Sequence, residues 1–349
     1  MNLENLTMII ITYNRYNYLN CLLHFLISFK SNLKILVLDS SSIKLVDQNI
    51  ISLLNSKNIR WIKYDPKIFF PKKISDGCKL INTEYTVLSA DDDFIFPVAL
   101  EKCINFLKNN SEFSSCFGIH YKHFLKTFFY KKILCFQKKL AKNSEISNDL
   151  SYERINKYLS MNSIYYPMYS VHRTLDFKKI WDITSQNVTY WGLSEIFPCI
   201  LSLCIGKMKI LNIPYISREK NNFTWENRKI IKRMYSPKKI KIVKNKLAEI
   251  LTIYEKTSLE ENKKYSDKIL KNFLKKIFNQ KKFNNNYTYI YKIYFWLKKF
   301  LKLYLLEWNR NIDDLDVKTM KYLEQSINKH NIDSLELQRS RENYYKIGM

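Results

Sequence analysis

The feature that most constrains the fold is a series of short, largely apolar runs, rich in β-branched residues, near the start of the chain. These runs lie at Met8–Thr12, Lys34–Leu38, Ile59–Tyr64, Glu84–Ser89 and Phe113–His120. Strands that are apolar on both faces and separated by helices are typical of a parallel sheet that helices cover on both sides. The sequence therefore predicts an α/β fold with a mostly parallel sheet flanked by helices.

Helical patterns separate these predicted strands, and further patterns follow them. Helices are predicted at Tyr18–Phe29, at Ile43–Leu54 and from about Pro97 to Lys108. The sequence then predicts a strand at Ile164–His172, a helix at Trp191–Cys204 and a strand at Met208–Ser217. The mixture of strands and helices thus extends to about residue 219.

The charge pattern changes near residue 220. Residues 220–310 contain 24 Lys and Arg against 7 Asp and Glu, a surplus of 17 in a chain whose formal net charge is +26. This segment has helical patterns and no strand pattern before about residue 285. We therefore predict an α/β domain over residues 1–219 and a basic, α-helical C-terminal region over residues 220–349.

Composition excludes several other classes of protein. Hydrophobic residues make up 46% of the 349 residues, which is enough for a substantial core and argues against disorder. The seven cysteines show no C-x-x-C spacing, so buried reduced thiols are expected rather than disulfides or a zinc site. No signal peptide and no apolar run long enough to span a membrane is found, which predicts a cytoplasmic protein.

Polar clusters follow three of the predicted strands. They are Thr12–Arg15, Asp39–Ser42 and Asp91–Asp93. Ligands of open α/β sheets bind beyond the carboxyl ends of the strands. We therefore expect these three clusters to line one binding site.

The most specific of the three clusters is the run of carboxylates Asp91, Asp92 and Asp93. Adjacent carboxylates repel one another, and a divalent cation such as Mg²⁺ or Mn²⁺ relieves this repulsion while it also binds substrate phosphates. The alternative is a solvated acidic turn that caps the helix beginning near Pro97. The buried strand before the run and the other two clusters favour a site for a cation and a diphosphate.

These motifs resemble a known family. Thr12–Arg15 (T-Y-N-R), Asp39–Ser41 (D-S-S) and Val87–Phe94 (V-L-S-A-D-D-D-F), each after a strand, are similar to motifs of family 2-like glycosyltransferases of the GT-A fold. The resemblance covers about residues 5–120 well and 160–219 weakly. It implies a Rossmann-like GT-A catalytic domain over residues 1–219, with a nucleotide-binding part at about 1–120 and an acceptor part at about 121–219.

The resemblance also implies roles for single residues. Thr12, Tyr13 and Arg15 would line the nucleotide pocket, and Asp39 would accept a hydrogen bond from the base, typically uracil. Asp91 and Asp92 would contact the ribose or the metal. Asp93 would act in catalysis through the metal and the diphosphate, and Asp91 and Asp93 are the predicted metal ligands, for Mn²⁺ or Mg²⁺.

Three further predictions concern the acceptor side and the phosphates. An inverting transfer needs a general base, and Glu195, in T-Y-W-G-L-S-E-I-F-P, matches the family position best. Its apolar and aromatic neighbours would raise its pKa; the alternative is a carboxylate that simply favours a helix N-terminus. Arg218 is a candidate clamp for the diphosphate, and the alternative is a surface ion pair with Glu219. Lys72 and Lys73 could also reach the phosphates.

The function expected from these features is metal-assisted transfer of a sugar from a nucleotide-diphosphate donor. UDP is the favoured nucleotide, and the transfer is expected to invert the anomeric configuration of the sugar. The acceptor would be a glycan or a lipid-linked molecule in surface polysaccharide biosynthesis. Residues 289–308 show an apolar face and a lysine face, which fits either a helix on the inner, anionic membrane surface or a packed helix, for example between subunits of a homo-oligomer.

Two other functions compete with this one. A nucleotidyltransferase has a similar fold and metal carboxylates, but it normally carries a Gly-rich loop after the first strand, and TYNRYNYLN contains no glycine. A nucleic-acid-binding protein would explain the net charge of +26. That reading leaves the acidic triplet unexplained, so no nucleic-acid partner is expected.

Overall fold

The computed structural model describes residues 1–128, 131–139, 145–161, 166–189, 194–219, 237–255 and 258–279. The predicted amphipathic segment 289–308 lies outside the described residues. Within them, no helix combines the length and the apolar character needed to cross a membrane.

The first half of the chain alternates strands and helices, as predicted. Its elements are β1 (Leu6–Thr12), α1 (Tyr16–Ser28), β2 (Lys34–Asp39), α2 (Gln48–Leu54), β3 (Ile59–Lys63), α3 (Phe70–Cys78), β4 (Tyr85–Ala90), β5 (Asp93–Ile95) and α4 (Pro97–Asn109). Strands β3, β2, β1 and β4 lie side by side and are parallel. Their carboxyl ends therefore meet at one edge of the sheet.

The second half adds mostly antiparallel pairs. It comprises β6 (Phe113–Phe128), β7 (Lys131–Lys139), β8 (Glu145–Ile146), α5 (Ser151–Ser160), a 3₁₀ turn (Pro167–Tyr169), β9 (Val171–Arg173), α6 (Thr174–Asn187), α7 (Ile196–Ile205) and β10 (Lys207–Glu219). The sheet order is β3-β2-β1-β4-β9-β6-β10-β5, with β7 beside β6 and β8 beside β10. The sheet is thus mixed, because β9, β5, β7 and β8 run antiparallel to their neighbours.

Three predicted elements differ in their bounds from the observed ones. The predicted strand Ile164–His172 is wrong in extent, since Pro167 has a fixed φ and no N–H donor and begins a 3₁₀ turn instead of continuing a ladder. Helix α2 begins at Gln48 because the Asp47 side chain accepts a hydrogen bond from the backbone N–H of Asn49. Asp93 lies in a strand rather than in a turn.

A single hydrophobic cluster joins the two faces of the sheet and extends into the C-terminal region. Helices α8 (Pro237–Glu255) and α9 (Leu259–Asn279) confirm the helical pattern of this region within the residues described. Leu247 and Leu251 of α8 are fully buried and belong to the same core as the sheet, and the Tyr152 and Tyr265 rings stack at 4.6 Å between α5 and α9. The two helices therefore pack on the α/β domain.

The cysteines are reduced where the structure describes their side chains. Cys21, Cys78, Cys103, Cys116, Cys199 and Cys204 are free and buried. This confirms the predicted absence of a disulfide framework for these six residues.

Candidate active site

The site lies at the carboxyl ends of β1, β2 and β4, where the fold brings the three predicted clusters together. Asn14, which follows β1, has a positive φ of 54°, a conformation that Asn tolerates better than most residues. Its side-chain oxygen accepts hydrogen bonds from the backbone N–H groups of Ser42, at 2.8 Å, and Ile43, at 3.2 Å. Its own N–H donates to the Ser41 hydroxyl at 2.8 Å. The T-Y-N-R and D-S-S loops are thus tied to each other.

Thr12 and Arg15 hold two of the three consecutive carboxylates. The Thr12 hydroxyl donates to Oδ2 of Asp91 at 2.7 Å, and Arg15 forms an ion pair with the same carboxylate. Arg15 Nη2 also lies 3.0 Å from Oδ1 of Asp92. Because Asp91 and Asp92 are only 2% and 5% exposed, these contacts offset the loss of hydration of two buried charges.

Asp93 has a different partner. It stands opposite Arg218 in the β5–β10 pair, and Nε of Arg218 donates to its Oδ1 at 2.8 Å. The Arg218 guanidinium lies 5.1 Å from the ring centroids of both Tyr166 and Tyr169. Burial opposes the charge of Arg218, but Asp93, together with Tyr169, Tyr166 and Asp92, outweighs it and holds the pKa of Arg218 well above its usual value. Arg218 therefore pairs with Asp93 inside the site.

Asp39 accepts hydrogen bonds from groups on several elements. Its Oδ2 accepts hydrogen bonds from Tyr16 Oη at 2.8 Å, Lys63 Nζ at 2.9 Å and Trp61 Nε1 at 3.3 Å. Its Oδ1 accepts one from the Ser41 backbone N–H at 2.7 Å. Burial alone would raise the pKa of Asp39, but hydrogen bonds from Ser41, Lys63 and Tyr16 outweigh it and lower the pKa. Asp39 is therefore an ionised anchor between β2, β3 and α1.

Lys73 is a fully buried lysine beneath the loops. Its Nζ donates to the Thr12 carbonyl at 3.1 Å and to the Ser40 hydroxyl at 2.8 Å. Burial lowers its pKa to about 7. Lys72, the other lysine of the predicted pair, is more than half exposed and lies 3.2 Å from Asp76. Only Lys73 of this pair therefore lies beneath the site, where it joins the ends of β1 and β2.

Glu195 and Tyr13 are the remaining predicted residues of the site. Glu195 is the N-cap residue of α7, as the alternative interpretation predicted, and its side chain is exposed. This differs from the expected apolar enclosure. Burial is the main cause that raises the pKa of the Tyr166 hydroxyl to about 12. Glu195 is close enough to contribute to the same rise. Tyr13 is half-buried in the loop after β1.

Sequence reasoning missed three residues that contact Asp39: Tyr16, Trp61 and Lys63. Lys63 is the last residue of β3, so the search for polar residues after the strands would have found it if the predicted strand had ended two residues earlier, at Ile62. The sequence does not indicate a role for Tyr16 and Trp61 in the site, because aromatic residues in a helix and a strand are usually interpreted as core residues.

The three consecutive carboxylates suit a divalent cation in their chemistry. Hard cations prefer carboxylate oxygens, and Asp91, Asp92 and Asp93 supply them. Among the residues that the structure describes, however, no three acidic, His or Cys side chains are arranged to hold an ion, and Arg15 and Arg218 contact these carboxylates. The residues thus fit a cation in donor type, and Asp91 and Asp93 remain the predicted ligands.

Comparisons with known proteins agree with this geometry. The model of the family described as glycosyl transferase family 2 matches residues 7–179, which include β1 to β4 and the three clusters. No curated protein sequence matches the chain significantly.

Solved structures of S. aureus TarS share the fold. A crystal structure of TarS residues 1–349 is 14% identical, with a TM-score of 0.53 over 98% of this chain and 91% of that chain. A longer TarS chain is 13% identical, with a TM-score of 0.52 over 95% of this chain and 54% of that one. TarS 1–349 in complex with UDP-GlcNAc is 12% identical, with a TM-score of 0.52 over 98% and 91%.

The match confirms the resemblance that the strand-end motifs predicted, and the shared fold confirms the GT-A type of α/β architecture. Together they identify this chain as a glycosyltransferase that carries a family 2 domain over residues 7–179.

Proposed function

We propose that the chain transfers a sugar, with inversion, from a UDP-type nucleotide sugar to a hydroxyl of a glycan or lipid-linked acceptor. One observation carries the proposal: Asp39, Asp91, Asp92 and Asp93 are all buried at adjoining strand ends. Buried carboxylates held by Arg, Lys and hydroxyl groups form a rigid site suited to ribose hydroxyls, a base edge and a cation. The UDP-GlcNAc complex of TarS, a protein of the same fold, supports a nucleotide-sugar donor.

The reaction proposed is a single displacement. The acceptor oxygen forms a bond to the anomeric carbon while the bond from that carbon to the diphosphate oxygen breaks. Glu195 takes the acceptor proton, and its exposed position at the start of α7 leaves it open to an acceptor. Arg218 and Arg15 stabilise the negative charge that grows on the diphosphate. A cation held by Asp91 and Asp93 would neutralise part of the same charge.

The nucleotide is proposed to lie over the loops that follow β1 and β2. Thr12, Tyr13 and Arg15 would line its pocket, with the base toward Asp39 and the ribose toward Asp91 and Asp92. The tie between these loops through Asn14 favours this placement, because a preformed pocket loses less conformational entropy when a ligand binds.

The acceptor is proposed to reach the site from a membrane surface. Exposed lysines at 241, 263, 264, 268 and 271 on α8 and α9 support this proposal. The segment 289–308 would add its lysine face. Sedimentation with anionic vesicles at low salt tests this part, and a full-length chain that stays in solution under those conditions would contradict it. A homo-oligomer, a cytoplasmic location and a role in surface polysaccharide biosynthesis stay predictions.

A panel of nucleotides tests the core of the proposal. UDP, CDP and GDP are added with Mn²⁺ and thermal unfolding is followed, since a ligand of the native state raises its apparent stability. UDP should raise the melting temperature most, and Asp91→Asn should reduce the rise. A melting temperature that no nucleotide diphosphate changes would contradict the proposal.

A further inference from the structure

Tyr166 lies beside the ion pair between Arg218 and Asp93. It is the N-cap residue of the 3₁₀ turn Pro167–Tyr169, and the centroid of its ring lies 5.1 Å from the Arg218 guanidinium. Arg218 in turn donates to Asp93 at 2.8 Å. Tyr166 is thus one contact away from the carboxylate that is proposed to act on the diphosphate.

Glu195 lies near the same tyrosine. Helix α7 packs against the 3₁₀ turn, and Glu195 and Tyr166 are the N-cap residues of this helix and this turn. Burial is the main cause that raises the pKa of the Tyr166 hydroxyl to about 12, and Glu195 and Asp93 both lie close enough to add to the rise. Tyr166 therefore neighbours both the ion pair of Arg218 and the proposed general base.

The proposed reaction restricts where the transferred sugar can lie. Its anomeric carbon is bonded to the diphosphate on one side, near Arg218 and Asp93, and is attacked from the other side by a hydroxyl near Glu195. The sugar must therefore lie between these groups. A side chain that neighbours both of them, as Tyr166 does, lines this space.

Exposure distinguishes Tyr166 from Tyr169, which also lies against Arg218. Both ring centroids lie 5.1 Å from the guanidinium, and the two rings meet edge to face at 6.3 Å. Tyr169 is only 5% exposed, whereas Tyr166 is half-buried. Of these two rings, only that of Tyr166 can therefore offer an apolar surface to the C–H groups of a sugar.

We infer that the ring of Tyr166 packs against the sugar that is transferred, which makes Tyr166 a residue of the donor-sugar subsite. The inference rests on the proposed function, which places the diphosphate at Arg218 and the acceptor at Glu195. This contact holds the anomeric carbon between its leaving group and the attacking hydroxyl. Tyr169, by contrast, supports Arg218 from the interior.

Isothermal titration with UDP and with UDP-sugars, in the absence of an acceptor, tests the inference. The probes are UDP-glucose, UDP-galactose and UDP-N-acetylglucosamine, and the quantity compared is the Kd of the UDP-sugar that the wild type binds most tightly, divided by the Kd of UDP. Tyr166→Leu removes the ring and should raise this ratio roughly 5- to 30-fold, the range expected when an aromatic contact is lost. The Kd of UDP should stay close to that of the wild type, because Asp93 and Tyr169 still hold Arg218.

Two further variants separate contact with the sugar from support of Arg218. Tyr169→Leu removes the buried ring from the same guanidinium, so it can weaken UDP and the UDP-sugar together but should leave the ratio unchanged. Tyr166→Phe keeps the ring and should keep the wild-type ratio. Tyr166→Met repeats the test if Tyr166→Leu does not fold.

The outcomes separate the inference from the proposed function. A ratio that Tyr166→Leu leaves unchanged, whether or not UDP binding falls, would overturn the inference alone, because Tyr166 would then act only through Arg218 or not at all. A ratio that rises as much in Tyr169→Leu would overturn it too. A rise of the same size in Tyr166→Phe would assign the contact to the hydroxyl and contradict packing by the ring. A wild type that binds no nucleoside diphosphate overturns the proposed function, and the inference with it.

Discussion

Nε of Arg218 lies 2.8 Å from Oδ1 of Asp93, although the two residues are 125 positions apart. The pair joins the end of β10 to the third carboxylate of the acidic run, so it connects the predicted acceptor part of the domain to the predicted nucleotide-binding part. The rings of Tyr166 and Tyr169 lie against the guanidinium. The negative charge of Asp93 is therefore compensated by a residue from the second half of the chain, Arg218.

The first prediction concerns this pair. Arg218→Met should lower the free energy of unfolding by about 3 kcal/mol, because it leaves a buried carboxylate without its cation. Urea denaturation at pH 7 measures the effect. Asp93→Asn in the same chain should restore most of the stability, since the uncompensated charge is gone, while activity stays low. A single Arg218→Met variant as stable as the wild type would show that the pair contributes nothing.

The second prediction concerns the cation. Asp91→Asn and Asp93→Asn keep the size of the side chain but remove charge, so sugar transfer should fall by orders of magnitude while circular dichroism shows an intact fold. EDTA should abolish transfer by the wild type, and added Mn²⁺ or Mg²⁺ should restore it. An enzyme that keeps full activity in EDTA would exclude a required cation at these carboxylates.

The third prediction follows from the buried Lys73. Its pKa is 10.5 in the unfolded reference and about 7 in the folded chain, so between these values the unfolded chain binds more protons. The contribution of Lys73 to the free energy of unfolding should therefore rise as pH increases from about 7 to 10.5. Below pH 7 it should be constant.

The difference between wild type and Lys73→Met isolates this contribution, because other buried groups titrate in the same range. The stability of the wild type relative to the variant should rise from pH 7 to pH 10 in urea denaturation. Lys72→Met, which removes the exposed neighbouring lysine of α3, serves as the matched control for the loss of a lysine. A flat difference for Lys73→Met would mean that Lys73 keeps an ordinary pKa.

The fourth prediction concerns the general base. Glu195→Gln should lower kcat about 10²- to 10⁴-fold, the usual contribution of a positioned base, and leave donor binding unchanged. Glu112→Gln, an exposed residue before β6, should keep full activity. If Glu195→Gln turns over at the normal rate, another residue removes the acceptor proton.

Much of the fold and part of the site could be predicted from the sequence. The runs at β1, β2 and β4 are continuous apolar segments that end in polar clusters, and the loops that follow them indeed meet at one edge of the sheet. The rule that ligands bind beyond the carboxyl ends of the strands predicts that Thr12, Asp91 and Asp93 lie in one site. Their proximity follows from parallel pairing, which places the strand ends side by side.

Other parts depend on long-range contacts that local patterns do not encode. Asp93 lies in a strand only because β10 supplies a partner about 120 residues later. The burial of Lys73 and the donors on Asp39 likewise arise from packing between elements that are distant in the sequence. The exposure of Glu195 could not be read from its apolar neighbours in sequence, because an N-cap position can direct a side chain away from the core.

The most direct test of the account is turnover of nucleotide sugars by the full chain. Purified protein is incubated with Mn²⁺ and a panel of UDP-, GDP- and CDP-sugars, with and without a soluble acceptor that carries free hydroxyl groups, and the release of each nucleoside diphosphate is measured. The account predicts release of UDP from at least one UDP-sugar, with a large loss in Asp91→Asn and in Glu195→Gln. Release from no UDP-sugar, or release that both variants keep at the wild-type rate, would contradict it.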